Sequence, residues 1–452
     1  MARATNFIPE QLELFLGDLS MGRLFYRAAD RTYAIELLPE FLASGHDIAP
    51  IVYPRLDRFR SGLVLFHGNP EATTPFLGGL PGFIVDSLPD KWGQLLLSSE
   101  NPTRGKSIMD SLASVGGGGP GAIAYRLPAQ AAPVPGEPKT EDLAEMAQLA
   151  EKIAKEQPVP RRQTGTFGTG GTLGGVYPKV GAQVPKAIRK GGIIPLPRIL
   201  IGGNPVSGFL PGIVKFSPMN DDESTGRVEY AFHLMAQAAG LRLPPACLLE
   251  DKTGGLHFAV ERFDRVLEGN RSLVRLHVQS LSALLHQNAV GAIRYEDLVT
   301  AADRLGGPEE ALEAFRRVVF NLLATNRDDH GRNHAFVYDW RNRTWSLAPA
   351  YDLNPSLGES LTAIRWGDGP EIPQRFAELL ELGALGGIAR NVAIHAFRQI
   401  DKAVMRWPEF ARRAKVDIGT AREWAAGMNS ATKQAGPLRS DAREYMTQPH
   451  DL

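Results

Sequence analysis

The chain has 452 residues, 43% of them hydrophobic, and its 50 Lys and Arg balance 50 Asp and Glu. That length buries a large core and exceeds one ordinary domain, so two or three domains are expected, and zero formal net charge excludes a global field drawing the chain to nucleic acid or anionic lipid. One cysteine, Cys247, excludes an intramolecular disulfide and reads as a core thiol. With no basic-then-apolar leader and no apolar window near ~18 residues, a cytoplasmic protein with no membrane contact is expected.

In chain order, residues 12–126 alternate short β-like runs ("LELFLGD", "RLFYRA", "TYAIELL", "GLVLFHG", "GAIAYRL") with Gly and Pro, which predicts a mainly β module. Within it "LPGFIVDSLPDKWGQLLLS" reads as helical from Ser87. "PAQAAPVPGEP", residues 128–138, is a linker, and a helix is expected over 140–156 with Thr140 or Asp142 as its cap. From Gln157 to Asn220 there is no acidic residue, while Arg161, Arg162, Lys179, Lys186, Arg189, Lys190, Arg198 and Lys215 all fall inside, which makes the stretch friendly to anions. It contains "TGTFGTGGTLGGVYPK", whose glycines let backbone N–H groups approach a phosphate or form a flap before the strand "GIVKF".

The run "RVEYAFHLMAQAAGL" has apolar positions at helical spacing and ends on Gly240. "ACLLED" and "LHFAVERFD" read as a β pair. From Val278 helices are predicted over 278–286, 295–304, 308–325, 371–383, 388–405 and 417–434. A polar, strand-like insert carrying "HAFVYDW", "TWSLAPAYD" and "AIRWGDG" interrupts them. A β-rich lobe followed by a helical lobe is a cleft architecture.

The most polar stretch, "NLLATNRDDHGRNHAF", follows an apolar helix. Arg327-Asp328 and Asn333 reproduce the H-R-D-x-x-x-x-N spacing of a kinase catalytic loop, in which a carboxylate receives the acceptor's proton and an amide oxygen binds Mg²⁺. Asp352 in "AYDLNPS" offers a second oxygen ligand, and Mg²⁺ needs few protein ligands because it keeps waters and phosphates. Upstream, Lys215 in "GIVKF" would reach the phosphates and Glu229 on the next helix would fix it. The same loop also admits a metal-hydrolase reading, with His330 and His334 four apart on one helical face beside Asp328 or Asp329. His330 otherwise reads as support for the catalytic loop.

Read together, "GLPGFIVDSLPDKWG", "GGPGAIAY", "GGVYPK", "IVKF", "VEY", "FAVERFDR", "RDDHGRNHAF" and "LAPAYDLNPS" resemble the HipA family of serine/threonine kinases, toxins of bacterial toxin–antitoxin pairs. The resemblance covers nearly the whole chain. It implies an α+β, bilobal kinase fold divided into a β-rich antitoxin-docking module (1–127), an N-lobe with the glycine-rich loop (139–268) and a helical C-lobe (269–452). It implies ATP and Mg²⁺ as cofactors. Asp328 would be the base, supported by His330, with Asn333 and Asp352 on the metal. Lys215, Lys179 and the flap residues Gly174 and Gly175 would serve the phosphates, and Glu261 and Phe263 the adenine.

The resemblance also implies a HipB-like helix-turn-helix antitoxin as partner, DNA contact only through that complex, and an aminoacyl-tRNA synthetase as protein substrate. Family members carry an autophosphorylated serine in the glycine-rich loop, and Thr172 stands in that register here. A dianionic phosphate on the flap would be repelled by the nucleotide and drawn to Arg161, Arg162 or Arg332. Tyr177 and the segment 181–210 depart from the family pattern. A nucleotide-binding co-repressor without transferase activity is the rival reading from another class.

Overall fold

The computed structural model describes residues 10–27, 29, 32–67, 80–100, 107–131, 135–159, 167, 177–218, 225–269, 272–287, 292–354, 364–367, 373, 375–430 and 432–447. Its architecture is α+β. All five β-like runs of the N-terminal module form strands of one antiparallel sheet, in the spatial order Val64–His67, Thr32–Leu37, Leu19–Arg27, Gln11–Leu16, Ile123–Arg126. Side chains alternate across a strand, so Leu12, Leu14 and Leu16 all enter the core while the residues between them do not. The first hairpin closes through Gly17-Asp18, with Gly17 at φ 59° in the left-handed region that a two-residue turn requires.

A second sheet has seven strands in the order Lys139–Asp142, Arg198–Ile201, Lys179–Pro185, Phe209–Lys215, Leu256–Glu261, Ala246–Glu250, Ile193–Pro195. One expectation is corrected here. Residues 139–142 extend as an edge strand, and the helix begins only at Leu143, capped by Asp142, whose carboxylate accepts from the Glu145 amide at 3.1 Å. The segment 181–210, which departs from the family pattern in sequence, supplies most of one strand and two whole ones. Alternation explains this: Val180, Ala182 and Val184, then Ile199 and Ile201, turn to one core with Trp92 and Leu96 of the N-terminal module.

Glycine and proline punctuate the helical half as expected. Tyr295–Gly306 gives way at Gly307 (φ 81°) to Pro308–Ala324, with Pro at its first position, where no amide partner is lost. Pro308–Ala324 is buried nearly all round and forms the axis of the lobe, packed by Tyr295–Gly306, Phe376–Leu385, Arg390–Val404 and Thr432–Thr447, while Trp407–Arg413 packs on Thr225–Ala238 and Ile418–Ser430. The helix expected from Val278 starts at Leu281 instead. His277–Ser280 is a strand paired with Ala335–Asp339, and Ser280 caps the helix by accepting from the Ala283 amide at 3.2 Å. The 417–434 region is helical over Ile418–Ser430 and again from Thr432.

The N-terminal module is locked to both lobes. Asp86 accepts from the Ser280 amide at 2.5 Å and its hydroxyl at 2.7 Å, and Trp92 Nε1 donates to the Lys179 carbonyl at 2.9 Å. Gly82 sits so close that a Cβ there would stand 2.0 Å from the Ala283 carbonyl oxygen. Gly82→Ala is therefore expected to lower stability by about 1–3 kcal/mol, because backbone must move to admit the methyl; a urea midpoint equal to that of the parent chain would refute this packing argument.

Candidate active site

Strand Phe209–Lys215 ends on Lys215, which faces Lys179 on one neighbouring strand and Phe258 on the other. Its ammonium lies 2.5 Å from Glu229 Oε1 on helix Thr225–Ala238 and also contacts Asp352, which follows the hairpin of the helical lobe. One cation thus ties the sheet, its underlying helix and the second lobe together. Burial works to lower the Lys215 pKa, but the charges of Asp352 and Glu229 outweigh it and raise the pKa well above the ordinary lysine value, so the ammonium stays protonated.

The two carboxylates diverge. Burial pushes both up, yet Lys215, Lys179 and His330 hold Asp352 down to about 2, whereas Glu229 remains raised. Two differences accompany this: the Asp352 side chain is 29% exposed against 9% for Glu229, and the charge of Asp352 itself raises the Glu229 pKa. Asp352 is therefore ionised at neutral pH. It also sits at φ 51°, a left-handed conformation uncommon outside glycine and one that locates the carboxylate by backbone strain. Lys179 is buried beside Lys215 on the neighbouring strand, and burial lowers its pKa.

Helix Pro308–Ala324 ends at Thr325, again left-handed (φ 59°), and releases the catalytic-type loop. Asp329 is completely buried, accepting from Tyr295 Oη at 2.7 Å and pairing with His334 Nε2 at 2.5 Å. That anchor leaves its neighbour Asp328 exposed. Asn333 Nδ2 donates to the Asp328 carbonyl at 2.8 Å, which closes the turn. Gly331 is packed against the Ile293 and Ser282 side chains, which would have to shift to admit a Cβ.

Two links join this loop to Asp352. Tyr351 Oη donates to the Arg332 carbonyl at 2.6 Å, and His330 is close enough to lower the pKa of Asp352. His330 Nδ1 is buried with no hydrogen-bond partner among the described residues. The metal-hydrolase geometry does not form: residues 326–334 are turn and loop rather than helix, and His334 is committed to Asp329. No cluster of three His, Cys, Asp or Glu side chains suited to a metal occurs among the described residues.

The other expected site residues are distributed as follows. Phe263 packs on Tyr351 with ring centroids 5.9 Å apart, beside Asp352. The Glu261 carboxylate is held by Arg189 at 2.6 and 3.0 Å, so only its backbone is available to a ligand in the cleft. Thr172, Gly174, Gly175, Arg161 and Arg162 lie outside the described residues.

Sequence reading missed the structural use of the charges in "ERFDR". Asp264 is buried and bound by Arg262 (2.8 Å twice) and Arg265 (2.7 Å), and it accepts from the Gly121 amide at 2.9 Å. The arginines in turn donate to the Gly119 and Gly121 carbonyls of the N-terminal module. Alternating charge after a strand reads as surface; only the approach of "GGPGA" from far away in sequence buries it.

Known proteins match this chain in sequence and fold. It is 26% identical over 249 residues to "Putative kinase Y4dM" of Sinorhizobium fredii, covering 50% of this chain and 56% of that protein, and 23% identical over 259 residues to "Putative kinase Y4mE" of the same organism, covering 53% and 54%. The chain thus spans about half the length of these curated relatives. A chain in the solved complex of Shewanella oneidensis MR-1 HipA, HipB and operator DNA shares the fold, with TM-score 0.66 over 97% of this chain and 100% of that one at 18% identity. The family model for the HipA N-terminal domain matches residues 12–126 and that for the HipA-like C-terminal domain residues 171–407, more than half of the sequence by itself, and the chain belongs to the HipA family.

Proposed function

We propose that this chain is an ATP- and Mg²⁺-dependent serine/threonine kinase of the toxin type. The observation that carries the reading is Lys215, paired at once with Glu229 and Asp352 across the two lobes. Such a pair fixes an ammonium where it meets phosphate oxygens, as in kinases generally. The donor set fits the cofactors: Asp352 is ionised, the Asn333 amide oxygen remains available after its nitrogen has bonded Asp328, and these two would hold Mg²⁺. Bound Mg-ATP would supply the transferable phosphoryl group and neutralise charge developing on it.

The residues of the chain do the rest. Lys215 and Lys179 bind phosphate oxygens, with Gly174 and Gly175 of the flap contributing backbone N–H groups, and Glu261 and Phe263 border the adenine. Exposed Asp328 receives the proton of the acceptor hydroxyl, and His330, beside Asp352, supports the loop. We read 1–127 as the docking module for a HipB-like antitoxin, 139–268 as the N-lobe and 269–452 as the C-lobe, with DNA reached through the antitoxin. The S. oneidensis complex, which contains HipB, supports that partner. The acceptor class is a translation protein, an aminoacyl-tRNA synthetase by family analogy, in the cytoplasm, and phosphate on Thr172 is the off-switch.

The test is incubation of the purified chain with γ-labelled ATP, Mg²⁺ and the host synthetases, followed by mass spectrometry. Label on a synthetase and on Thr172 is expected, reduced roughly 10²–10⁴-fold in Asp328→Ala. Nucleotide binding without transfer would instead establish the co-repressor, and ATP-independent hydrolysis the metal enzyme.

A further inference from the structure

Helix Thr225–Ala238 faces two sites. Glu229 turns to the active site, while Tyr230, His233, Leu234 and Gln237 line a separate cavity of about 350 Å³ that includes none of Lys179, Lys215, Asp328, Asn333 or Asp352. Its opposite walls are the 3-10 helix Lys186–Lys190 and the end of helix Trp407–Arg413. The volume lies at the small end of ligand pockets, too small to enclose a nucleotide and suited to a compact molecule.

Three features of the wall specify what it would take. Lys190 and Arg413 line it without an acidic partner among the described residues, and no carboxylate lines it; Arg189, also at its edge, is neutralised by Glu261. The Tyr230 hydroxyl accepts from the Gly192 amide at 2.6 Å, which leaves its own proton to be donated. That approach depends on Gly191, at φ 67°, where a Cβ would stand 3.0 Å from the same hydroxyl. Finally, His233 is 9% exposed and has no hydrogen-bond partner among the described residues, and its ring lies nearly parallel to that of Tyr230 (15°). Burial pushes its pKa down to about 4, so the ring is neutral and presents one N–H. Two unpaired cations, a free O–H and a neutral imidazole form a wall of donors with no compensating negative group.

We infer that this cavity is a binding site for a small oxyanion, a phosphate or carboxylate group on a compact skeleton, gripped by Arg413 and Lys190 with Tyr230 and His233 at its floor. Occupancy bears on the helix that carries Glu229, and so places a regulatory ligand one residue from the active-site ion pair. Binding itself is independent of phosphotransfer.

Isothermal titration calorimetry of the full chain with inorganic phosphate and, separately, citrate tests the inference. Saturable binding of at least one is expected, with phosphate alone or citrate alone naming the preferred group. The exposed double variant Arg413→Gln/Lys190→Gln should weaken binding about tenfold or more, while Lys215→Met, which disables phosphate contact in the other cleft, should leave it unchanged. No saturable binding of either anion, or any other pattern in the two variants, overturns the assignment; circular dichroism of both variants excludes misfolding as the cause.

Discussion

Lys215→Met should reduce phosphoryl transfer roughly 10³-fold, in the range known for removing one preorganised charge from a transfer site. The side chain is 11% exposed and holds both Glu229 in its own lobe and Asp352 in the other, so no neighbour can replace it: Lys179 is itself buried, with its pKa lowered, and lies one strand away. Two controls separate chemistry from folding. Lys215→Arg should not rescue activity, because a planar guanidinium does not reproduce a point charge shared by two carboxylates. The double variant Lys215→Met/Glu229→Gln should regain thermal stability relative to Lys215→Met, since it removes the buried carboxylate left without its cation, yet stay inactive. A Lys215→Met protein with near-normal incorporation of γ-phosphate would show that this ion pair is structural and nothing more.

Asp264→Ala should destabilise the chain by about 3–5 kcal/mol, the usual cost of stranding a buried partner, because it leaves Arg262 and Arg265 facing each other under the Gly119–Gly121 loop. The pH dependence follows from the direction of the shift. Burial raises the Asp264 pKa, but Arg262 and Arg265 outweigh it and hold the carboxyl far below its unfolded value of roughly 3.9. A group whose folded pKa is depressed contributes its full stability above the unfolded pKa and loses it as pH falls toward the folded one. The parent chain should therefore lose stability below about pH 4, and Asp264→Ala should lack that part of the loss. Urea titrations at pH 7 and pH 3 measure both; parallel curves for the two proteins would disprove the role given to the cluster.

Legibility differed between fold and site. Hydrophobic alternation located every strand of the N-terminal sheet, and apolar spacing with Gly307-Pro308 located the axial helix, because both patterns are local consequences of burial on one face. Thr140 misled because the cap belongs to Asp142, whose preceding residues pair with Arg198–Ile201 from about 60 positions away. Val278 misled for the same reason, since its apolar run serves a strand completed by Ala335–Asp339.

By itself the sequence pointed to the α+β class and singled out Lys215, Glu229, Asp328, Asn333 and Asp352 as candidates, because these side chains carry chemistry that core packing does not ask for. Tertiary structure alone decided that burial raises the Glu229 pKa while the lysines hold that of Asp352 down, and that Asp329 and His334 brace the loop. It likewise decided that Asp264 is a buried joint and that the back of the Glu229 helix encloses a cavity. Each of these depends on the desolvation and field created by groups distant along the chain, quantities that exist only once the lobes have closed on one another.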